Sequence, residues 1–516
     1  MSTSIRILRN TSYLYIKMAV TLFISLYTTR LILNSLGESD FGIFNVVGGA
    51  IAMLGFINAA MASASQRFLS YTEGEGNLDK KRIIFNMSLV LNVVISFIVL
   101  LLLLIASLFF FNGVLNIPPE RMFAAKVIYG CLIVSTILTV MNVPYDAIMN
   151  AHENMLYFSI IGIFESMLKL AVAFVCVYTS FDKLIAYGVL MACIPMVTLT
   201  IMKVYCHKKY EECIVAPRRY YNRGIMKEMM SFAGWNFFST FATLISGHGS
   251  NIVLNHFFGS PINAANGIMG QINGQLQVFG NSLLKAVNPV LVKSEGAHNR
   301  DKMFKYAFTG AKLTVCMYAY LAVPFVVDRD YILSLWLKSV PPYTSDFVKY
   351  LLIWTFFSQI AGTLATSISA IGNIKRMSQW CSFVLILNIF ILYFAFKIGA
   401  NPEAFMVFAC LTGAFQTSIY IYYGWKLGGM NLRRYFFDVF VRVALSIIFA
   451  YITIYSIWQQ MTVGIVRLFV LCVFSVVLYS IFFYCIALNT EERGMINNFT
   501  LKAKKIIINH HSNEKQ

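Results

Sequence analysis

Long apolar stretches recur along this chain, separated by short segments that carry most of the charge. Each stretch approaches or exceeds the roughly 20 residues that a helix needs to cross a bilayer. The fourteen stretches lie near residues 12–35, 41–66, 83–111, 122–147, 154–179, 183–205, 228–257, 262–290, 303–327, 347–371, 377–398, 403–426, 436–458 and 463–487. The pattern predicts an all-α polytopic membrane protein with about fourteen transmembrane helices.

The composition supports a membrane location. Hydrophobic residues make up 58% of the 516 residues and charged residues only 12%, which is about half the charged fraction of a typical soluble domain. A soluble core of this size could not bury so many Phe, Leu, Ile and Val side chains. We therefore expect lipid to be the main solvent of the helices.

The predicted loops are alternately basic and nearly uncharged. The segment 206–227 is the richest in Lys and Arg, and the loops after predicted helices 2, 8, 10 and 12 and the C-terminal tail are basic too. Because basic loops stay in the cytoplasm during insertion, this alternation predicts that both termini are cytoplasmic. Orientation and contact with anionic lipid also account for the net charge of +18, so no nucleic-acid partner is expected.

The sequence shows few signs of catalytic or metal chemistry. Its ten cysteines are scattered without a CxxC pair, so neither a metal site nor a disulfide framework is expected. The chain contains no Walker A sequence for ATP hydrolysis. No predicted outer loop carries a catalytic carboxylate pair. We therefore expect a transporter rather than an enzyme, with no catalytic residue and no cofactor beyond a proton or sodium ion for coupling.

An internal duplication runs through the chain at an offset of 222 residues. Gly37 matches Gly259, and the polar segment 73–80 matches 295–302. Two six-helix halves enclosing a cavity are expected, as in transporter folds built from parallel repeats. The predicted domains are an N-terminal lobe (1–205), a basic cytoplasmic linker (206–227), a C-terminal lobe (228–426), helices 13 and 14 (436–487) and a basic cytoplasmic tail (488–516).

Predicted helix 8 carries an unusual polar stripe. Its main members, separated by steps of seven, four and four residues, are Asn266, Asn273, Gln277 and Asn281. This spacing keeps them on one face of a helix, and a polar face inside a membrane needs protein or water beside it. We expect the four side chains to line a hydrated cavity, with interhelical hydrogen bonding as the alternative for any one of them.

Three cations within predicted helices lack a local partner. Arg30, Lys285 and Lys312 have no carboxylate three or four residues away, and an unpaired charge in a membrane costs about 2.5–3.5 kcal/mol on insertion scales. Cations around a cavity suit an anionic headgroup, and arginine suits a phosphate best through its bidentate fork. We interpret the three as substrate-binding cations, with snorkelling to the cytoplasmic face as the alternative for Lys285.

Further charges lie on predicted helices 4 and 5. Glu165 and Lys169 are four residues apart and can pair on one helix face. Lys169 is a fourth candidate for a cation that contacts substrate. Glu165 and Asp146 are candidate carboxylates for a coupling ion. A purely structural pair, and a cap or loop contact for Asp146, are the alternatives.

Several motifs together resemble one family of transporters. They are GESDFGIFN at 37–45, QRF at 66–68, EGEGN at 73–77, PYD at 144–146 and AHENM at 151–155. With the fourteen-helix layout, they resemble the Wzx-type polysaccharide flippases. These form the polysaccharide-transport branch of the multidrug/oligosaccharidyl-lipid/polysaccharide exporter superfamily. The resemblance covers nearly the whole chain.

The resemblance implies a V-shaped pair of six-helix lobes, with helices 13 and 14 added, in the bacterial cytoplasmic membrane. It implies a monomer that flips undecaprenyl-diphosphate-linked oligosaccharide repeat units to the outer leaflet by alternating access, for a surface polysaccharide such as O-antigen. Polymerases and glycosyltransferases are the implied protein partners. Arg30 lies on the helix whose arginines bind diphosphate in related lipid II flippases, and helices 13 and 14 would hold the polyprenyl tail. Lysine instead of arginine at Lys285 and Lys312 departs from that pattern.

Two other functions remain open. The first is a cation-coupled multidrug exporter of the same superfamily, which would favour carboxylates and aromatic rings around its cationic substrates. The second is a membrane enzyme that polymerises or ligates the glycan, which would favour catalytic groups in large outer loops.

Overall fold

Every element of the chain is a helix in the computed structural model, which describes residues 3–52, 55–111, 118–337 and 339–494. The α-helices are α1 Thr3–Ala52, α2 Gly55–Glu75, α3 Leu78–Phe109, α4 Met122–Ala151, α5 Met155–Tyr178, α6 Lys183–Lys209, α7 Arg223–Gly296, α8 Arg300–Val327, α9 Arg329–Trp336, α10 Thr344–Ile371, α11 Lys375–Lys397, α12 Ala404–Gly428, α13 Leu432–Tyr435, α14 Arg442–Gln459 and α15 Ile465–Phe482. Short π-helical segments follow α13 and α15. The all-α prediction is confirmed. Most of the predicted basic tail lies outside the described residues.

Many of these helices are long and apolar enough to cross a bilayer. Within the described ranges, eleven segments meet that criterion by length and composition. Predicted helix 2 is divided between α1 and α2, and predicted helices 7 and 8 form the more polar α7, so none of the three is among the eleven. The chain is a multi-pass membrane protein, while the count of fourteen spans and the cytoplasmic termini stay predictions.

The local structure repeats at the offset that the sequence predicts. Gly37 and Gly259 both interrupt a long helix, with φ of 77° and 71° and ψ of 170° and −165°. This backbone region is essentially restricted to glycine. Asn77 and Asn299 are the N-caps of α3 and α8, and each side chain accepts a hydrogen bond from the backbone N–H three residues later. The duplication is confirmed at these positions.

The duplicated Glu-Gly motif brings two chain segments into close backbone contact. A Cβ atom at Gly74 would overlap the carbonyl of Lys293, and one at Gly296 would overlap the carbonyl of Tyr71. Tyr71 and Lys293 are themselves related by the repeat offset, so the two contacts are equivalent. Only glycine allows this approach on both sides.

The described chain divides into two compact units. The N-terminal unit comprises Asn10–Thr240 and Val292–His298, and the C-terminal unit comprises the described parts of Met1–Arg9, Phe241–Leu291 and Asn299–Gln516. The packing units therefore do not follow the predicted domain boundaries, because residues 228–240 and the end of α7 pack with the first half. The predicted boundaries stay a statement about the sequence repeats.

The N-terminal unit is built from α2 to α6 with most of α1. Val47, Leu103 and Ile128 are fully buried in one of its apolar clusters. At one end of the unit, the Arg121 guanidinium bridges Asp40 and Asp182, with N–O distances of 2.6 and 2.5 Å. This double ion pair ties the start of α4 to α1 and to the start of α6.

The C-terminal unit contains the second part of α7 and the helices from α8 to α15. Leu254, Phe347 and Leu392 are fully buried in one of its apolar clusters. A buried ion pair joins Arg467 at the start of α15 to Asp328 at the end of α8. The last two long helices are therefore integral parts of this unit.

Candidate functional site

Arg30 lies on α1 of the N-terminal unit, and its side chain is exposed on the surface of that unit. It has no hydrogen-bond or ion-pair partner among the residues that the structure describes. Leu26 and Leu33, on the same face, are 64% and 38% exposed. A charged guanidinium on an otherwise apolar face is an accessible anion-binding group. Its role as a substrate cation stays a prediction.

A cluster of charges forms where α1, α4 and α5 approach one another in the N-terminal unit. The Lys169 Nζ lies 2.7 Å from Glu165 Oε1, so the predicted pair four residues apart is confirmed. Lys17 lies within electrostatic reach of Glu165 and Asp146, and its Nζ is 4.1 Å from the centroid of the Phe158 ring. Two cations and two carboxylates are thus brought together inside the predicted membrane region. Local spacing could not place Lys17 in this group, because its partners lie more than 120 residues away in the chain.

The cluster holds equal numbers of cationic and anionic side chains. When all four groups are charged, the two lysines neutralise the two carboxylates, and uptake of a proton or sodium ion would change that balance. Lys169 is paired rather than isolated, which weakens its assignment as a substrate cation. Glu165 and Asp146 remain the candidate carboxylates for a coupling ion.

Lys312 is not an isolated cation, and that expectation was wrong. Its Nζ lies 2.8 Å from Glu492 Oε2, and the two side chains are 1% and 5% exposed. Thr309 also donates to Glu492 Oε1 over 2.8 Å. The carboxylate is 180 residues away in sequence, so local spacing could not reveal it. Lys312 therefore stabilises the packing of α8 against the segment that follows α15.

Lys285 is half-buried on α7 and engages in an interaction within the described chain. Its assignment as a substrate cation stays a prediction. Arg30 is therefore the one candidate cation, within the described residues, that is both exposed and unpaired.

A polar cavity of about 680 Å³ lies within the C-terminal unit. Its walls come from α10, α11 and α12 and from α7 on both sides of the interruption at Gly259. The polar side chains that line it are Thr243, Ser246, Ser250, Asn251, Asn263, Asn266, Asn273, Asn388, Thr412, Gln416 and Tyr420. Two members of the predicted stripe, Asn266 and Asn273, are thus placed in a cavity, whereas Gln277 and Asn281 do not line it.

An apolar groove of about 770 Å³ lies elsewhere in the same unit. Its walls include Phe279 on α7, Tyr320 and Phe325 on α8, and Cys472 and Val476 on α15. The groove and the polar cavity share α7 and α10, since neighbouring residues of each helix face one or the other. The resemblance implied a lipid-binding role for the last two helices, of which α15 lines this groove. The aromatic groups from α7 and α8 had no signal in the sequence.

A third cluster lies in the N-terminal unit where α2, α4 and α6 end. The His152 imidazole contacts two carboxylates, with its Nε2 2.5 Å from Glu212 Oε1 and its Nδ1 3.5 Å from Glu73 Oε1. Burial raises the pKa of Glu212, but the hydrogen bond and charge of His152 outweigh this and leave that pKa below its ordinary value. Lys81 also pairs with Glu73.

These three groups could each offer one atom to a metal ion. However, the ammonium of Lys81 is already paired with Glu73 and supplies positive charge where a cation would bind. Nearby, Lys293 Nζ lies 3.0 Å from Glu153 Oε1. The network joins four separate chain segments of the N-terminal unit. We therefore assign it to the packing of that unit.

The chain matches two family models. The model described as polysaccharide biosynthesis protein matches residues 7–295, and the MatE model matches residues 236–394. No curated protein matches the chain significantly.

Solved structures with the same architecture are distant in sequence. A MATE protein crystallised in the bent conformation is 14% identical, with a TM-score of 0.71, over 84% of this chain and 97% of its own. An outward-facing multidrug resistance MATE family transporter of the MOP superfamily gives the same four values. A MOP superfamily transporter from Pyrococcus furiosus, described as having a binding pocket of reverse polarity, is 15% identical, with a TM-score of 0.69, over 84% and 97%. These likenesses show a MATE-like fold.

Proposed function

Because the chain belongs to the polysaccharide biosynthesis protein family, within the MOP superfamily of membrane transporters, we propose that it is a lipid-linked oligosaccharide flippase. It moves undecaprenyl-diphosphate-linked repeat units from the inner to the outer leaflet of the bacterial cytoplasmic membrane by alternating access. The product is used for surface polysaccharide, and the protein acts as a monomer beside glycosyltransferases and a polymerase.

One observation carries the proposal. The C-terminal unit holds an uncharged polar cavity and an apolar groove that share α7 and α10. A lipid-linked sugar has the same two chemical parts, one hydrophilic and one apolar. The apolar groove suits the polyprenyl tail, because it can bury the tail without burying polar groups. The amide and hydroxyl side chains of the cavity suit the glycan, because they can form hydrogen bonds with its hydroxyl groups.

The diphosphate between these two parts needs positive charge. Arg30 supplies an exposed guanidinium that can bind phosphate oxygens through two parallel hydrogen bonds. Lys285 is the second candidate. Moving about two negative charges outward gains roughly 4.6 kcal/mol per 100 mV when the inside is negative. The membrane potential therefore favours export, and a proton or sodium ion at Asp146 and Glu165 would return the empty carrier.

The Arg30→Ala variant tests the role of this guanidinium. Losing a charged hydrogen-bond partner removes about 1.5–3 kcal/mol, so flipping should fall by about 10- to 100-fold. Surface polysaccharide is measured in a deletion strain that carries the variant, together with the leaflet in which lipid-linked repeats accumulate. The Arg30→Lys variant is the matched control and should keep part of the activity. Normal polysaccharide with Arg30→Ala, at equal protein level, would refute the proposed role.

A multidrug exporter is the second candidate, because the MatE model matches residues 236–394. A site for cationic drugs would be expected to hold a carboxylate, and the described residues that line the polar cavity include no Asp or Glu. Drug susceptibility of the deletion strain separates the two functions. Increased susceptibility with normal surface polysaccharide would favour the exporter.

A further inference from the structure

The walls of the polar cavity in the C-terminal unit are polar but carry no formal charge. None of the described residues that line it is Asp, Glu, Lys or Arg. Its polar groups are carboxamides and hydroxyls, which both donate and accept hydrogen bonds. A charged ligand would lose its hydration in such a cavity without gaining a counter-ion. The cavity therefore selects for a neutral and hydroxyl-rich ligand.

Two carboxamide oxygens in this cavity lack a partner. Asn266 is 8% exposed, and its Nδ2 donates to Asn251 Oδ1. This bond fixes the amide of Asn266, while its own Oδ1 is buried and accepts no hydrogen bond within the described chain. The Oδ1 of Asn273 is also buried and accepts no hydrogen bond from the described residues. Unpaired acceptors of this kind can accept a hydrogen bond from an O–H or N–H group of a ligand or from water.

A third amide lines the cavity from α11. Asn388 on α11 is 7% exposed, and its Oδ1 accepts a hydrogen bond from Thr412 Oγ1 over 3.2 Å. The NH₂ group of Asn388 therefore remains a donor. Acceptors on α7 face a cavity that also has a donor on α11, a combination that matches the hydroxyl groups of a sugar.

Aromatic side chains give the cavity flat apolar faces. Trp354 on α10 and Phe405 and Tyr420 on α12 contribute to its lining. Gly413 on α12 has no side chain, and a Cβ there would lie 2.8 Å from Trp354 Cδ1. The indole therefore lies directly against α12 in a fixed orientation. The C–H face of a pyranose ring packs well against such a surface while its hydroxyls reach the amides.

The cavity also has the size and open space that a sugar requires. Its volume of about 680 Å³ lies within the range of about 300–1,000 Å³ for small-molecule sites and is far larger than a single cation needs. Gly247, Gly267 and Gly270 form part of its wall, and a Cβ at any of the three would meet no atom within 4 Å. These glycines leave room that side chains would otherwise fill.

We propose that this cavity is a binding site for an uncharged sugar residue of the transported glycan. The proposal rests on the proposed flippase function and adds which class of sugar the cavity accepts and which residues recognise it. Asn266, Asn273 and Asn388 hydrogen-bond the hydroxyls, and Trp354 stacks on the ring. The diphosphate is bound elsewhere, because this cavity offers it no cation.

The test measures sugar binding to the full-length protein in lipid nanodiscs by calorimetry. The ligands are galactose, N-acetylglucosamine and rhamnose, with galacturonate and sodium chloride as charged comparators. At least one neutral sugar should bind. Its affinity should fall by about tenfold in Asn273→Leu, since one hydrogen bond is lost. Binding should be lost in Gly267→Leu, which fills the cavity from a position with open space.

Two matched controls lie on the same helix, outside the cavity. Asn281→Leu and Gly234→Leu should bind sugar as the unmodified protein does, and the thermal unfolding midpoint shows that every variant is folded. Absence of binding by all three neutral sugars would overturn the proposal. The proposal would also be overturned if Asn273→Leu and Gly267→Leu bound the sugar as tightly as the unmodified protein does. Binding of sodium or galacturonate without binding of any neutral sugar would overturn it too.

Flipping of lipid-linked repeats in proteoliposomes separates this proposal from the general function. A protein that binds neutral sugar through Asn273 but does not flip would refute the flippase function and leave the sugar site standing. If the Gly267→Leu variant binds no sugar but still flips lipid-linked repeats normally, the sugar site is refuted and the flippase function stands.

Discussion

Two buried ion pairs in the C-terminal unit join residues that are far apart in sequence. Lys312 pairs with Glu492 across 180 residues, and Arg467 pairs with Asp328 across 139. Trp458 also donates its indole N–H to Asp328 over 3.1 Å. A buried charge without a counter-charge is strongly unfavourable, so each partner is required by the other. These charges act on stability, whereas Arg30 has no such partner within the described chain.

At this scale we predict that Lys312→Met destabilises the protein by about 3–5 kcal/mol, because Glu492 would be left buried and unpaired. The double variant Lys312→Met, Glu492→Gln should recover most of the loss. Lys305→Met is the control, since its pair with Glu491 is exposed and should leave the unfolding midpoint nearly unchanged. Thermal unfolding of the purified protein measures all three. Equal midpoints for Lys312→Met and Lys305→Met would contradict the prediction.

Among the elements, α7 shows most clearly how the duplication shapes the fold. Gly259 divides it as Gly37 divides α1. The segment Val292–His298, which contains the end of α7, packs with the N-terminal unit, although the residues on either side of it belong to the C-terminal unit. The reciprocal contacts of Gly74 and Gly296 explain why this end of the helix is held closely. The repeated Glu-Gly motif is therefore a packing device.

We predict that Gly74→Ala and Gly296→Ala each destabilise the protein by about 1–3 kcal/mol, the usual cost of overpacking. The added methyl group would overlap a backbone carbonyl, which cannot move aside as a side chain can. Gly42→Ala is the matched control, because a Cβ there would meet no atom within 4 Å. The readout is the unfolding midpoint in detergent. A midpoint for Gly74→Ala that equals that of Gly42→Ala would show that the backbone contact is absent in solution.

On the scale of the whole molecule, α14 and α15 are part of the C-terminal unit, and α15 also forms a wall of its apolar groove. Deleting residues 436–516 would remove Arg467 and Glu492 and leave Asp328 and Lys312 without their partners. Loss of transport after such a deletion would therefore reflect misfolding as readily as loss of a lipid site. Filling the groove with a single side chain is a sharper test.

Val476→Trp should block the groove and reduce flipping of lipid-linked repeats by more than about tenfold. Displacing two methylene groups of the tail already costs about 1.6 kcal/mol. Binding of a free neutral sugar should be unchanged, because Val476 does not line the polar cavity. Val466→Trp, at a 67% exposed position of the same helix that does not line the groove, is the control. Equal flipping by the two variants would rule out the groove as the site of the tail.

Features that depend on neighbouring residues could be predicted from the sequence. Apolar stretches long enough to cross a bilayer predicted the helices, and the matching segments predicted the duplicated glycine breaks and caps. The Glu165–Lys169 pair was predictable because helix geometry places residues four apart on one face.

Contacts between groups that are distant in sequence could be read from the folded chain alone. The tertiary structure paired Lys312 with Glu492, brought Lys17 to Glu165 and Asp146, and placed Asn266 and Asn273 in a cavity that Gln277 and Asn281 do not line. These outcomes depend on how helices separated by more than 100 residues pack together. The spacing within one helix fixes its faces, but it carries no information about what each face will contact.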